Sequence, residues 1–354
     1  MDANIAIQAH FECEFIIMIK TIKTFFLASL IPLFTVVCLG GYWLVSGLIA
    51  YQKQPLQLTE IQTLTVEPGT SVIKLAQQLE QQSLITDSWK VKYLVKLEPK
   101  LAHIKTGLYQ MIPGDTLEAL LKRLYLGQQV VFSITLIEGK TITEWQQTLS
   151  TTEHLAKNTD DFNQVLLQNG DTSGLPEGKF YPETFHYHAD DNLQTILNRS
   201  YTMMQLSLAQ AWEGRDPDLA LSSPYELLII ASIIEKETGK PEERDWVSAV
   251  FNNRLKKGMR LQTDPTVIYG MGERYKGNIT RKDLREATAF NTYKIDGLPP
   301  TPIAAPSRAS LFAAANPAKV NYLYFVSRND GSHVFSSTLK AHNNAVNEFQ
   351  RKRK

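Results

Sequence analysis

The feature that most constrains this chain is a stretch unable to fold in water by itself. From Phe25 to Tyr51 no residue carries a charge. A helix needs about 20 apolar residues to cross a bilayer, so this stretch suffices with some tilt. A cleaved signal peptide would have a shorter apolar region, about 7–15 residues, and a small-x-small cleavage site. Val37, standing before Cys38, argues against a lipid-modified cysteine. Lys20 and Lys23 precede the span and only Lys53 follows it closely. That bias places residues 1–24 inside the cell and the bulk of the chain outside. Residues 1–17 fit poorly as a leader, whereas Met18 opens a compact basic flank, MIKTIKTFF. Translation is therefore expected to start at Met18; a native peptide spanning Ile16 to Met18 in mass spectrometry would count against it.

Beyond the span, the 354-residue chain, 43% hydrophobic and 21% charged, has the size for more than one core. A net charge of +1 carries no signature of a nucleic-acid partner. Cys13 and Cys38 both precede residue 51, so no disulfide framework follows the span. Residues 52–63, Gln-rich with Pro55, read as a linker. LTVEPGTSVIKLAQQLEQQSLI then predicts a strand, a Pro-Gly turn and a helix whose apolar face is Ile73, Leu75, Ala76, Leu79 and Leu84. Residues 107–127 repeat that plan, with Leu117, Leu120, Leu121 and Leu124 as the stripe and Gly127 as the stop. The phrase YxxxPGDTL in that segment, beginning at Tyr109, resembles LysM-type modules, which bind N-acetylglucosamine-containing glycans. Residues 130–137 predict a strand leading into a helix in EGKTITEWQQTL, and the terminal RKRK reads as a solvated end. The fold class is α+β: a LysM-like region over 64–135, then a mixed α+β domain over 136–354.

IIASIIEKETG, residues 229 to 239, places a carboxylate directly after buried-looking isoleucines. Burying it is costly unless it is paired, neutralised or used. Ser223 as N-cap, Pro224 and Glu226 as capping-box partner open the helix, and Gly239 with Pro241 closes it. Glu235 then lies in the last turn, where the helix end and the apolar neighbours both favour the protonated form a general acid needs. At about 100° per residue, Glu237 points roughly 200° away from Glu235, so the two do not share one task. This reading sets Glu235 in a cleft and Glu237 off it. The competing reading has both acids merely capping or solvating a helix end, partnered by Lys236 and Lys240.

A second helix follows in PEERDWVSAVFNNRLKKG, with Trp246, Val247, Val250, Phe251 and Leu255 expected inward. Asp264 before Pro265 suits a cap or turn. The proline-rich stretch FNTYKIDGLPPTPIAAPS offers the amides, hydroxyls and aromatic faces that line carbohydrate grooves.

Taken in order, ASIIEKET, VFNNRLKKGMRLQTDPTVIYG, FNTY, GLPPTPIAAPS, NPAKVNYLYFV and GSHVFSSTLKAHN resemble the YceG-like (MltG) family of endolytic murein transglycosylases. EGKFYPETFHY is similar to an earlier motif of that family, with Glu183 where aspartate is frequent. The resemblance implies a single-pass inner-membrane protein whose extracytoplasmic domain cleaves peptidoglycan glycan strands internally, with peptidoglycan synthases as prospective partners. It implies Glu235 as the catalytic acid, Gln262, Thr263, Asp264, Tyr269, Asn291, Thr292 and Tyr293 as substrate-binding residues, and Glu237 in support.

Most glycosidases need two carboxylates at set separations. The implied reaction needs one: the acid protonates the glycosidic oxygen, then as a base takes the proton of the C6 hydroxyl closing onto C1. Being on the same ring, that hydroxyl has a large effective molarity against water. No metal or cofactor is expected; His333 and His342 lack a third ligand at zinc spacing and read as structural hydrogen-bonding residues. A hydrolytic muramidase using Asp264 as second carboxylate, and a non-catalytic wall-binding scaffold, are the alternatives.

Overall fold

The computed structural model describes residues 2–157 and 161–351. Met1 and the last three residues of the basic tail lie outside them. The chain forms two units, Met1–Val130 and Val131–Lys354.

In the first unit, helix α1 (Asp2–Gln52) contains Pro32 and includes the uncharged stretch. By length and composition its Glu14–Gln52 part is the one helix among the described residues able to cross a membrane. Its last turns differ from the rest, because Leu48 and Tyr51 are buried in the core of the unit. The Tyr51 hydroxyl also donates to the Thr86 carbonyl at 2.7 Å. The end of the apolar helix and the adjoining domain thus share one core.

That core is built on strand β1 (Gln62–Val66), helices α2 (Val72–Gln81) and α3 (Val91–Leu97), strand β2 (Gly107–Met111) and helix α4 (Leu117–Leu126). The strands pair antiparallel, Gln62 opposite Met111 and Val66 opposite Gly107. All four leucines of the α4 stripe are buried, and Gly127 closes the helix in the left-handed conformation that glycine adopts without strain. On α2 the inward set is Val72, Leu75, Ala76 and Leu79. Ile73, expected inward, is instead exposed, because Val72 occupies the matching place on the 3.6-residue period. Within residues 52–63, which are otherwise mostly exposed, Leu56 is docked: it is buried, and its N–H donates to the Asp115 carbonyl at 2.7 Å. The YxxxPGDTL residues serve the fold as well. Tyr109 is buried, Asp115 pairs with Arg123 at 2.8 Å, and Thr116 caps α4.

The second unit opens with strand β3 (Phe132–Thr135), helix α5 (Ile142–Ser150), strand β4 (Leu155–Ala156) and helix α6 (Asp161–Gln168). A full capping box between Thr141 and Glu144 starts α5. Strands β5 (Thr184–Tyr187) and β6 (Asp191–Asn192) follow, pairing antiparallel with β3 and parallel with β4 respectively. Helix α7 (Leu193–Glu213) leads into α8 (Pro224–Glu237), α9 (Arg244–Lys256), α10 (Asp264–Met271) and α11 (Arg308–Ala315). A hairpin of β7 (Tyr324–Ser327) and β8 (His333–Ser336), then α12 (Leu339–Val346), complete the unit.

Helix α8 is the centre of this unit. Every residue from Leu227 to Ile234 is buried, as expected for a helix apolar on all sides. Ser223 caps it as the sequence indicates, but the Glu226 carboxylate turns back to Ser222. On α9, Val247, Val250 and Phe251 point inward. Trp246 does not; it is largely exposed, edge-on to Phe335 at 5.4 Å. Position 246 lies about 100° from Val247 on the helix, off the face that Val247, Val250 and Phe251 bury.

Leu120→Ala, which empties a fully buried site, is expected to destabilise the first unit by about 2–5 kcal/mol, whereas Ile73→Ala costs less than about 1 kcal/mol. Thermal denaturation of the two variants checks the assignment; equal losses would contradict it.

Candidate active site

The last turn of α8 sends its two glutamates to different partners. Glu235 faces the N-terminus of α11: its Oε2 accepts from the Ser307 N–H at 2.9 Å, the Ser307 hydroxyl at 2.5 Å and the Ser310 hydroxyl at 2.7 Å. Lys236 bonds the Gly139 carbonyl at 2.9 Å. Glu237 points the other way, where its Oε1 accepts a short hydrogen bond from the Thr263 hydroxyl. The divergence expected from the helix turn is present. Glu237 lines a cavity of about 500 Å³, and Glu235 is not among the residues lining that cavity, against the expected facing.

Gln262, Asp264 and Tyr293 line that cavity with Glu237. Burial pushes the Glu237 carboxyl up to about 7; the Thr263 hydroxyl opposes this and the Asp264 charge adds to it. Tyr293 donates to Asp264 Oδ1 at 2.7 Å. Its phenol is held well above the ordinary tyrosine range, first by burial and then by that carboxylate. Gln262 has a left-handed backbone, φ 52°, which is strained for a side chain of this kind. Its N–H bonds the Thr292 carbonyl, and its Oε1 accepts from Arg254 at 3.3 Å. Those bonds hold the conformation in which the amide reaches the cavity.

The other candidate residues support this wall rather than line it. Thr292 is fully buried, and its hydroxyl accepts from the Thr263 N–H at 3.0 Å. The Asn291 amide donates to the carbonyls of Asp283 and Glu286 while its Oδ1 receives the Tyr293 N–H. Thr263 is buried at the N-cap position of α10, with its hydroxyl given to Glu237 rather than to the helix end. Tyr269 lies elsewhere, donating to Glu177 at 3.1 Å and packing on Phe290.

Against this geometry stand the comparisons with known proteins. The profile of the YceG-like family matches residues 64–348. The chain belongs to the YceG-like family. An endolytic murein transglycosylase of Bacillus subtilis (strain 168) is 30% identical over 330 residues, covering 86% of this chain and 91% of that protein. One of Streptococcus pneumoniae serotype 2 is 24% identical over 81% of this chain and 58% of its own length. A crystal structure of a yceG-like protein from Listeria monocytogenes aligns with TM-score 0.53 at 28% identity, covering 81% of this chain and 99% of that one.

Of the other lining residues of this YceG-like chain, Arg254 and Tyr324 are not singled out by the sequence, and His333 and His342 read there only as structural hydrogen-bonding residues. Tyr324 and His333 come from the β7–β8 hairpin, His342 from α12, and Arg254 from α9. Arg254 donates to the carbonyls of Leu323, Arg260 and Leu261, stitching hairpin to loop. His333 receives Glu243 twice: the ring Nδ1 lies 2.7 Å from Oε2, and the backbone N–H donates to Oε1 at 2.9 Å. His342 stacks on Tyr324 at 5.2 Å and is held below the usual histidine range by burial and then by the Arg254 charge. In the sequence these positions lie inside the longer motifs VFNNRLKKGMRLQTDPTVIYG, NPAKVNYLYFV and GSHVFSSTLKAHN.

A further acid, Glu177 of EGKFYPETFHY, is buried beside Tyr269 and accepts from the Ile142 N–H at 3.2 Å. Burial pushes its carboxyl up to about 7, against the pull of the Tyr269 hydroxyl and of backbone N–H groups. Because the folded value lies above the unfolded one, the linked stability is full below about pH 4.5 and is lost as pH rises through about 7. Glu177→Gln, a mimic of the protonated form, is expected to gain roughly 1–3 kcal/mol over the parent at pH 8 and little at pH 4. Melting curves at the two pH values test this; a gain independent of pH would contradict it.

Proposed function

We propose that this chain is an endolytic peptidoglycan lytic transglycosylase in which Glu237 is both acid and base. The activity is that of the murein transglycosylases it resembles over most of its length. The observation that carries the residue assignment is the Glu237 carboxyl, raised to about 7, in one cavity with Gln262, Asp264 and Tyr293. A group with that value is substantially protonated near neutrality and also returns readily to that state, as one residue serving as acid and then base requires. The role that the family resemblance gave to Glu235 passes to its neighbour. Glu235, tied by three donors, fixes the turn from which Glu237 projects.

The reaction follows from these parts. Thr263 occupies Glu237 Oε1, leaving Oε2 for the substrate. Glu237 gives its proton to the glycosidic oxygen between N-acetylmuramic acid and N-acetylglucosamine, and the C1–O bond breaks. The Asp264 carboxylate, in the same cavity, stabilises positive charge developing at C1. The C6 hydroxyl of the same ring attacks C1 and its proton returns to Glu237, regenerating the acid. The product ends in a 1,6-anhydro sugar, and no water is consumed. The names of the relatives favour neither a hydrolytic muramidase nor a non-catalytic scaffold.

Helix α1 supplies a single-pass anchor, with Lys20 and Lys23 placing the N-terminus inside and the catalytic unit outside the cytoplasmic membrane. The LysM-like region over 64–135 would add a glycan grip, and synthases extending the same strands are the natural partners; the resemblance supports both.

Three measurements test the assignment. Glu237→Gln is expected to abolish formation of anhydro ends, by 10²-fold or more, with folding intact. Glu235→Gln, losing charge-assisted bonds to Ser307 and Ser310, is expected to lower thermal stability and reduce turnover less. Full turnover by Glu237→Gln alongside a dead, stably folded Glu235→Gln would return the role to Glu235. The rate of the parent should fall on the alkaline side with an apparent pKa near 7, and Asp264→Asn, by removing a like charge, should move that fall to lower pH. Products heavier by one water would identify hydrolysis instead.

A further inference from the structure

Helix α3 and the short turn before it carry an unpartnered face. Trp89, Tyr93 and Leu97, spaced four apart on one side, are 61%, 41% and 49% exposed, while Val91 and Leu94 fill the core behind them. Large apolar residues in such a row are uncommon on a surface that meets only water. The face is also basic. Lys92 and Lys96 flank the row and form no ion pair among the described residues, whereas Lys90 is paired with Asp87 and Lys100 with Glu98. The Lys96 ammonium lies 5.9 Å from the Tyr93 ring, and Trp89 and Tyr93 meet edge-on at 5.9 Å. Aromatic rings that pair an apolar body with a polar tip, set among lysines, match the chemistry of a lipid headgroup layer.

The position of this face in the fold supplies the second argument. As a helix, the uncharged stretch Phe25 to Tyr51 is about 40 Å long. A hydrocarbon core is about 30 Å thick, so the last turns stand in the headgroup layer. Those are the turns buried in the first unit: Leu48 and Tyr51 belong to its core. Helix α3 is beside them, with the Lys90 ammonium 5.1 Å from the Tyr51 ring. The unit is therefore held against the bilayer by a continuous helix, with the aromatic and basic row close to where that helix emerges.

We propose that the Trp89–Tyr93–Leu97 face, with Lys92 and Lys96, docks on the surface of an anionic lipid bilayer and holds the first unit down on the membrane. The proposal rests on α1 crossing the membrane. Two cationic side chains near an anionic surface strengthen the contact, and added salt weakens it.

The test uses the full chain with Cys13→Ser and Cys38→Ser, reconstituted into phosphatidylcholine vesicles with or without an equimolar share of phosphatidylglycerol. A fluorophore is attached at Tyr93→Cys or, in a separate protein, at Val37→Cys, and lipids carrying a quencher just below the headgroup or at the bilayer centre report depth. The expected result is quenching at 93 by the shallow quencher, several-fold stronger with phosphatidylglycerol and lost with Lys92→Glu and Lys96→Glu together, while 37 responds to the deep quencher throughout. No quenching at 93 with normal quenching at 37 would overturn the docking and leave the anchor standing. No quenching at either position would remove the anchor and the docking with it. Equal quenching at 93 in both lipids, unchanged by the charge reversals, would overturn the assignment to an anionic surface.

Discussion

The carboxylate of Glu235, clamped by Ser307 and Ser310, is the interaction on which the rest of the candidate site depends. It joins the C-terminal turn of a helix buried on all sides to the N-terminal turn of α11. Carbonyls are unsatisfied at one of these ends and N–H groups at the other. A negative group belongs at the second, and Glu235 is delivered there by the first. With the turn fixed in this way, Glu237 has one direction left to point, toward Thr263 and the cavity.

The two acids show how environment divides identical side chains. One meets three donors on a single oxygen and becomes a fastener. The other meets one hydroxyl, a neighbouring carboxylate and an apolar wall, and its carboxyl rises to about 7. Behind that wall sits a relay of buried small polar groups, Thr263, Thr266 and Thr292, bonded to one another. They hold Gln262 in its left-handed backbone and Thr263 against Glu237. Residues that look like ligands in a motif thus act by shaping the residues that line the cavity.

In the first unit the controlling constraint is different. The apolar helix does not end where the domain begins, since its last turns are part of the domain core. Continuity of this kind gives a surface helix such as α3 a defined neighbour in the end of α1.

Periodicity and end signals sufficed for much of this. The Leu117–Leu124 stripe with its Gly127 stop, the Ser223 cap and the divergence of Glu235 from Glu237 are local properties, set by 3.6 residues per turn and by capping chemistry. The order of long motifs was enough to place the chain in its family. Which glutamate faces the cavity was not local. It depends on how α8 is rotated about its axis, and a helix apolar on every side carries no polar face to reveal that rotation. Ile73 and Trp246 are each misread by one position, about 100° from a correctly read face. Local sequence sets a helix and its phase to within a residue; only the packing of α11, the Thr263–Thr292 wall and the β7–β8 hairpin around α8 decides which carboxylate is buried against a cavity and which is held by donors.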